Sequence, residues 1–183
     1  MLPEYIFLIT YGLGKVNILP AQITVTPAAG QSKVYGKTDP TFIYINNGDL
    51  TTTDFNGKLG RVAGKNVNTY TYTLGNLSAG TNNSISLSAV APLAKFSVTK
   101  ASLTIKADNK VIFQGGSLPT LTATITRLKN GDNPTVSFLP LNPPYTGDPG
   151  EYTIIPFLQL FSNSGNYYYG TPQSSYRRLV DFR

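Results

Sequence analysis

The 183-residue sequence contains no cysteine and no histidine, and only 13% of its residues are charged. The missing side chains exclude Ser-His-Asp and Cys-His nucleophilic sites and every metal site built from imidazole or thiolate ligands. Without cysteine no disulfide can form, so the sequence is silent on redox compartment. We therefore predict that the chain is not an enzyme, that it has no catalytic residues, and that it binds no metal and no cofactor.

Clustered positive charge and long apolar runs are also missing. Fifteen Lys and Arg residues against nine Asp and Glu residues give a formal net charge of +6, yet only Arg177 and Arg178 are adjacent. Nucleic-acid-binding proteins concentrate basic residues on one face. The apolar stretch at residues 5–11 is far shorter than the roughly 20 residues that span a bilayer. We predict no nucleic-acid partner and no membrane span.

The residues that are abundant favour β-structure. Thirteen Pro and seventeen Gly residues interrupt the chain too often for long helices, while Thr, Tyr and other β-branched and aromatic residues suit pleated strands. We predict a mostly β chain of small modules. Seven short strands in a module fit an immunoglobulin-like sandwich, and a single helical turn at Leu50–Phe55 fits a β-grasp arrangement.

An internal repeat organises the chain. Residues 16–25 and 96–105 share one pattern, a short alternating strand, a hinge and a second alternating strand, with Val16 aligned to Phe96 and Ile23 to Leu103. Such a recurrence indicates an array of modules. It predicts module 1 at residues 21–100 and module 2 at residues 101–183, joined at a narrow waist at Thr99–Ala101 that permits limited bending.

Residues 1–20 resemble the last two strands of a module, with the second strand ending at Val16–Ile18. They are predicted to be the terminal strand pair of an incomplete preceding module. An orphan strand pair exposes open backbone edges, which recruit strands from other chains. The pair is therefore expected either to complement a neighbouring subunit in a head-to-tail polymer or to result from a truncated reading frame.

Within the modules the alternation predicts strands at similar places. Module 1 is expected to have strands at residues 23–25, 34–36, 42–45, 57–62, 69–74, 84–88 and 95–99. Module 2 repeats the plan, with residues 111–113 as the counterpart of Val34 and Tyr35 and residues 166–169 as the counterpart of residues 83–86.

The stretch from Lys33 to Phe42 contains Tyr-Gly-x-x-Asp-Pro and resembles the signature of MBG domains (YGX type). The signature residues of module 1 are Tyr35, Gly36, Asp39, Pro40, Asn47, Gly48 and Asp49. Module 2 has Phe113-Gln114 in place of Tyr-Gly but keeps Asn130-Gly131-Asp132. The resemblance implies a tandem repeat of bacterial extracellular proteins and adhesins, located at the cell surface, that spaces or presents a binding region; it implies no particular ligand.

The signature also has a physical interpretation. Gly36 is expected to adopt backbone angles that a side chain would forbid, and Asp39-Pro40 to set an extended entry into Phe42. Tyr35 is expected to be half-buried with its hydroxyl group at the rim.

Two functions remain open. The first is an adhesive or structural stalk whose partners are neighbouring modules of the same or another chain. The second is a module that binds a host or surface glycan or protein through an aromatic platform. The candidate platform residues are Tyr145, Tyr167, Tyr169 and Tyr176. Alternation places Tyr168 on the face opposite Tyr167 and Tyr169, so at least one of the three is expected in the core.

Overall fold

The computed structural model describes residues 11–169, and in that range it contains β-strands and short 3-10 turns but no α-helix. The prediction of a mostly β chain is confirmed. The strands are β1 (Ala21–Pro27), β2 (Ser32–Val34), β3 (Tyr44–Asn46), β4 (Gly60–Arg61), β5 (Asn68–Thr73), β6 (Asn83–Leu87), β7 (Lys95–Thr99), β8 (Ala101–Ala107), β9 (Ala123–Thr126), β10 (Val136–Phe138), β11 (Pro156–Leu158) and β12 (Tyr167–Tyr169). The 3-10 turns span Thr52–Asp54 and Ser164–Asn166.

Module 1 consists of two mixed sheets that share one core. The first has the order β3-β1-β6, in which β1 pairs antiparallel with β3 and parallel with β6. The second has the order β2-β7-β5-β4, in which β7 pairs parallel with β2 and antiparallel with β5. Val25 from the first sheet and Tyr72 and Phe96 from the second belong to the same buried cluster. The two sheets therefore enclose a common core.

The predicted helical turn is present as the 3-10 turn at Thr52–Asp54. The Asp54 carboxylate accepts hydrogen bonds from the backbone N–H and the hydroxyl group of Thr51, at 2.7 and 2.8 Å. These bonds satisfy a backbone donor at the start of the turn and hold the pKa of Asp54 below its usual value.

The first sheet of module 2 repeats that of module 1. It has the order β12-β8-β9, in which β8 pairs antiparallel with β9 and parallel with β12. Tyr167 lies opposite Ala101, as Asn83 lies opposite Ala21. The predicted match between residues 166–169 and residues 83–86 is therefore wrong by one residue. A one-residue shift moves each side chain to the other face of the strand.

Residues 111–113 do not form the predicted strand. Within residues 11–169 no strand pairs with them, and a strand requires a hydrogen-bonding neighbour. Phe113, predicted to occupy the place of Tyr35, is 73% exposed. The remaining described strands of module 2, β10 and β11, form a separate antiparallel pair.

The core crosses the boundary between the modules, so the expectation of a narrow waist is wrong. Phe96 and Val98 of β7 and Ala101 and Leu103 of β8 are all at most 3% exposed and belong to one buried cluster. Lys100 alone separates the two strands. Because no loop intervenes, the buried alternation of β7 resumes directly in β8, shifted by one residue at Lys100.

Residues 11–20 carry no β-strand and are exposed, so the predicted strand at Val16–Ile18 is not observed. The segment predicted to pair with it is the apolar stretch at residues 5–11, of which residues 5–10 lie outside the described part of the chain. Apolar side chains in this stretch face solvent: Leu13 is 100% exposed and Val16 is 90% exposed.

Candidate functional site: the joint between the modules

A carboxylate of module 2 accepts a hydrogen bond from a tyrosine hydroxyl group of module 1. Oδ2 of Asp132 accepts hydrogen bonds from the hydroxyl groups of Tyr35, at 3.1 Å, and Tyr167, at 2.6 Å. Oδ1 of the same carboxylate accepts a hydrogen bond from Nδ2 of Asn163. Three donors thus converge on one side chain, and the first of them comes from the other module.

Local structure places these groups. Tyr35 follows β2 directly, and its backbone N–H donates to the carbonyl oxygen of Thr99 at 2.8 Å, which fixes it at the end of β7. Asp132 follows a tight turn in which Asn130 and Gly131 have positive φ angles of 53° and 77°. Asn and Gly are the residues that adopt such angles most readily, so the Asn-Gly-Asp sequence directs the carboxylate toward module 1.

Aromatic packing surrounds the carboxylate. The rings of Tyr35 and Tyr167 meet edge to face, with centroids 5.4 Å apart and planes at 79°, and Phe161 lies against Tyr167 at 5.9 Å. Tyr35 and Tyr167 are each 1% exposed. The expectation that Tyr35 is half-buried is therefore wrong, because module 2 covers the edge of module 1 that the sequence alone leaves open.

Gly36 lies where the two modules come closest. Its φ angle is +78°, as predicted for a residue that a side chain would strain, and a Cβ atom placed on it would lie 2.5 Å from Cβ of Lys129 in module 2. Two separate constraints, the backbone conformation and the neighbouring module, therefore require glycine at this position.

Asn166 forms a second polar contact across the joint. Its side chain is buried, accepts a hydrogen bond from the Val67 backbone N–H at 2.7 Å and donates to Oδ1 of Asn66 at 3.1 Å. Sequence reasoning missed this residue. A single Asn in a segment rich in Ser, Asn and Gly carries no signal that distinguishes it from a residue in a solvated turn.

The charge state of the joint follows from its hydrogen bonds. Burial by itself raises the pKa of Asp132, but the hydrogen bonds from Tyr167, Asn163 and Tyr35 outweigh it and hold that pKa below its usual value. Burial and the hydrogen bond to Asp132 raise the pKa of Tyr167 well above its usual value. At neutral pH the ionised Asp132 carboxylate thus accepts a hydrogen bond from the protonated hydroxyl group of Tyr167, and charge-assisted bonds are stronger than neutral ones.

The signature residue Asp39 acts within module 1. Its carboxylate pairs with Nε and Nη2 of Arg61 at 2.8 and 2.9 Å, and with Nζ of Lys33 at 2.6 Å. The Arg61 guanidinium lies over the rings of Tyr70 and Phe96, 4.7 and 5.1 Å from their centroids. Burial raises the pKa of Asp39, but its bonds to Arg61 and Lys33 outweigh that effect and lower it. The pair fixes the segment that leads, through Pro40, into buried Phe42.

The other signature residues of module 1 form a turn beside β1. Oδ1 of Asn47 accepts a hydrogen bond from the Thr24 backbone N–H at 2.6 Å, and the Asn47 N–H donates to the Thr24 carbonyl oxygen at 3.2 Å. The Gly48 N–H donates to Oδ1 of Asn46. Asp49, the residue after this turn, is exposed.

Of the four predicted platform residues, the structure describes the side chains of two: Tyr167 is buried and Tyr145 is half-buried. Tyr167 is buried in the joint, where its hydroxyl group donates to Asp132. Tyr145 packs instead against Tyr152 at 5.2 Å and donates to the carbonyl oxygen of Gly116. Tyr169 is the last described residue of β12, and Tyr176 lies outside the described residues.

The described part of the chain contains no group of three or more His, Cys, Asp or Glu side chains that could hold a metal ion. In the same range no helix is long and apolar enough to cross a membrane.

Comparison with known protein families finds the MBG domain (YGX type) twice, at residues 23–90 and at residues 103–172. The chain therefore belongs to this family and contains two of its domains in tandem, as the resemblance of the Tyr35–Pro40 signature implied. The family is one of repeat modules of surface and extracellular proteins. No curated protein and no solved structure matches the chain significantly.

Proposed function

We propose that this chain is a non-enzymatic spacer, a stalk segment of a bacterial cell-surface or secreted adhesin-like protein that holds a binding region away from the surface. The observation that carries the proposal is the buried joint, where Tyr35 of module 1 bonds to Asp132 of module 2. Tandem modules with loose linkers behave as separate bodies. A joint that is packed and hydrogen-bonded instead sets a defined distance and direction between them.

The energetics of the joint support this role. A hydrogen bond to a charged group contributes roughly 1.5–3 kcal/mol, and an edge-to-face aromatic pair such as Tyr35 and Tyr167 adds roughly 0.5–1.5 kcal/mol beyond its buried area. Asn166 holds the chain at a second point. Bending at the joint would break several of these contacts together, so the packed arrangement is the stable one.

Small-angle X-ray scattering of the full chain tests the spacer function. The expected result is an elongated particle two modules long, whose scattering fits one fixed arrangement. Asp132→Ala should make the particle flexible, because it leaves two tyrosine hydroxyl groups without their acceptor, whereas Asp148→Ala, at an exposed position of the same module, should not. A compact globe for the unchanged chain would reject the proposal.

A second candidate function is assembly of chains head to tail by strand complementation. It is favoured by the apolar side chains of residues 11–20, where Ile18 is 92% and Leu19 is 81% exposed. Val16 and Ile18 align with Phe96 and Val98, which are buried in β7. In this function the segment would enter the sheet of another module as a β7-type strand.

Sedimentation velocity over a range of concentrations tests the assembly. A double substitution, Val16→Asp with Ile18→Asp, should abolish concentration-dependent growth. Val90→Asp, which changes an equally apolar residue that is 79% exposed in a loop, should leave it intact. A full chain that is monomeric at every concentration would reject this candidate and leave the spacer function untouched.

A further inference from the structure

The strands through which tension would enter and leave module 1 are both interior strands. The chain enters the module at Ala21, the first residue of β1, which lies between β3 and β6. It leaves at Thr99, the last residue of β7, which lies between β2 and β5. Pulling out either strand therefore breaks two ladders of hydrogen bonds, one on each side.

The direction of these strands determines how the ladders are loaded. β1 runs parallel to β6 over five paired positions, from Ala21 opposite Asn83 to Val25 opposite Leu87. Hydrogen bonds between strands lie across the strand axis. A force along β1 consequently shears all of them at once, whereas a force across the sheet would open them one after another. The pairing of β7 with β2 is also parallel.

Hydrogen bonds enclose β1 on both sides. Along β6, the Ala21 N–H donates to the Asn82 carbonyl oxygen at 3.0 Å, and the Ser88 N–H donates to the Val25 carbonyl oxygen at 2.9 Å. On the other side Asn47 bonds to both the N–H and the carbonyl oxygen of Thr24, beyond the last paired residue of β3. The signature Asn47 thus acts as a side-chain clamp on the strand that receives the load.

The same design continues in module 2. Tension that leaves β7 crosses Lys100 and enters β8, which is again an interior strand, parallel to β12 and antiparallel to β9. A hydrogen bond fixes the end of β7 beside the joint: the Thr99 carbonyl oxygen accepts it from the Tyr35 backbone N–H. Load therefore passes from one sheared strand to the next without an intervening loop.

We propose that these modules are force-bearing: tension along the chain shears β1 and β8 against two neighbouring strands each, with Asn47 as a clamp on β1. The inference rests on the proposed spacer function, because a spacer held at both ends is the part of a protein that is put under tension. In this inference the signature turn at residues 47–49 does more than connect two segments of the chain, because it resists the removal of β1 under tension.

Single-molecule pulling of the full chain by its two ends tests the inference with a matched pair of variants. Asn47→Ala deletes the Oδ1 atom that accepts a hydrogen bond from the Thr24 backbone N–H in β1, at 2.6 Å. Asn76→Ala deletes the Oδ1 atom that accepts a hydrogen bond from the Lys58 backbone N–H in a loop, at 2.8 Å. Asn47→Ala is expected to accelerate unfolding of module 1 severalfold at constant force, and Asn76→Ala to leave that rate close to the unchanged chain. Denaturant unfolding of both variants without force corrects for any difference in stability.

Two results would overturn the inference. One is an equal change of the unfolding rate in the two variants after that correction. The other is unfolding of both modules at forces too low to resolve. A chain that gives either result while scattering as a fixed two-module particle would still be a spacer, so the failure of this inference is distinguishable from failure of the proposed function.

Discussion

The hydroxyl group of Tyr35 donates a hydrogen bond to the carboxylate of Asp132, which lies 97 residues further along the chain. Tyr35 belongs to the Tyr-Gly signature of module 1, and Asp132 to the Asn-Gly-Asp turn of module 2. Two halves of a family signature, which are separate features within one module, thus meet across the boundary between two modules. Their contact is the observation on which the proposed spacer function rests.

Removing the Tyr35 hydroxyl group should weaken the joint without unfolding the modules. Tyr35→Phe keeps the ring against Tyr167 but loses the bond to the charged Asp132, so we expect the free energy of unfolding to fall by roughly 1.5–3 kcal/mol. Urea titration monitored by tyrosine fluorescence measures this. Tyr168→Phe, which removes a hydroxyl group from a side chain that is 63% exposed, is the control. Equal effects of the two substitutions would argue against a coupling role for Tyr35.

A side chain at Gly36 should separate the modules. Gly36→Ala introduces strain at a positive φ angle and a clash with Lys129, whereas Gly30→Ala introduces the strain alone, because its φ angle is +77° and nothing lies within 4 Å of the added Cβ. We expect Gly30→Ala to cost about 1 kcal/mol of unfolding free energy and Gly36→Ala to cost more. Only Gly36→Ala should broaden the distance between the modules. If both variants behave alike, the close approach at the joint has no energetic effect.

The joint should weaken in acid. The pKa of Asp132 in the folded chain lies below its usual value, since the hydrogen bonds from Tyr167, Asn163 and Tyr35 outweigh the effect of burial. The stability from this depressed pKa is present above the pKa of the unfolded chain, about 3.9, and is lost as the pH falls from there through the folded value.

Asp132→Asn isolates the contribution of this carboxylate. Asp39 also has a lowered pKa, because its bonds to Arg61 and Lys33 outweigh the effect of burial, so the unchanged chain and the variant both lose its contribution in acid. Urea unfolding of the two chains between pH 6 and pH 2 should therefore show an additional loss of stability in the unchanged chain alone, beginning at about pH 4. Parallel pH profiles would contradict the assignment to Asp132.

The pair of Asp39 and Arg61 should stabilise module 1 alone. Arg61→Lys keeps the charge but loses the two-point bond to Asp39 and the packing of the guanidinium on Tyr70. We expect a loss of roughly 1–2 kcal/mol of unfolding free energy. Hydrogen exchange should locate this loss in module 1, while Arg127→Lys, at an exposed position in module 2, should have little effect. Faster exchange in both modules would indicate that the pair serves the joint instead.

The sequence predicts some strands of module 1 closely and others only roughly: residues 34–36 overlap β2 at Val34 alone, and residues 57–62 contain the two-residue strand β4. The period-two alternation at residues 95–99 gives β7 with its observed bounds, and residues 69–74 give β5 to within one residue. Alternation identifies a strand but not its neighbours, so the parallel pairing of β1 with β6 could not be predicted from the sequence pattern. The same limit explains residues 111–113, which have the composition of a strand but no partner strand in the described range.

The joint was the least predictable part of the site. The positive φ angle of Gly36 follows from its residue type, and the structure confirms it. Tyr35 and Tyr167 are buried because segments far apart in the sequence pack over them. The alternation of residues within one strand cannot predict such long-range packing. A run of three tyrosines at residues 167–169 therefore suggested a surface platform, although Tyr167 is part of the joint.

The most direct test of a fixed joint is the distance between the two modules in solution. Because the chain has no cysteine, Ala89→Cys and Asn109→Cys place spin labels at one exposed position in each module, and pulsed electron resonance gives the distribution of distances between them. We predict a single narrow distribution that broadens when Gly36→Ala is added. A broad distribution in the otherwise unchanged chain would contradict the account, because it would mean that the modules move independently despite the contact between Tyr35 and Asp132.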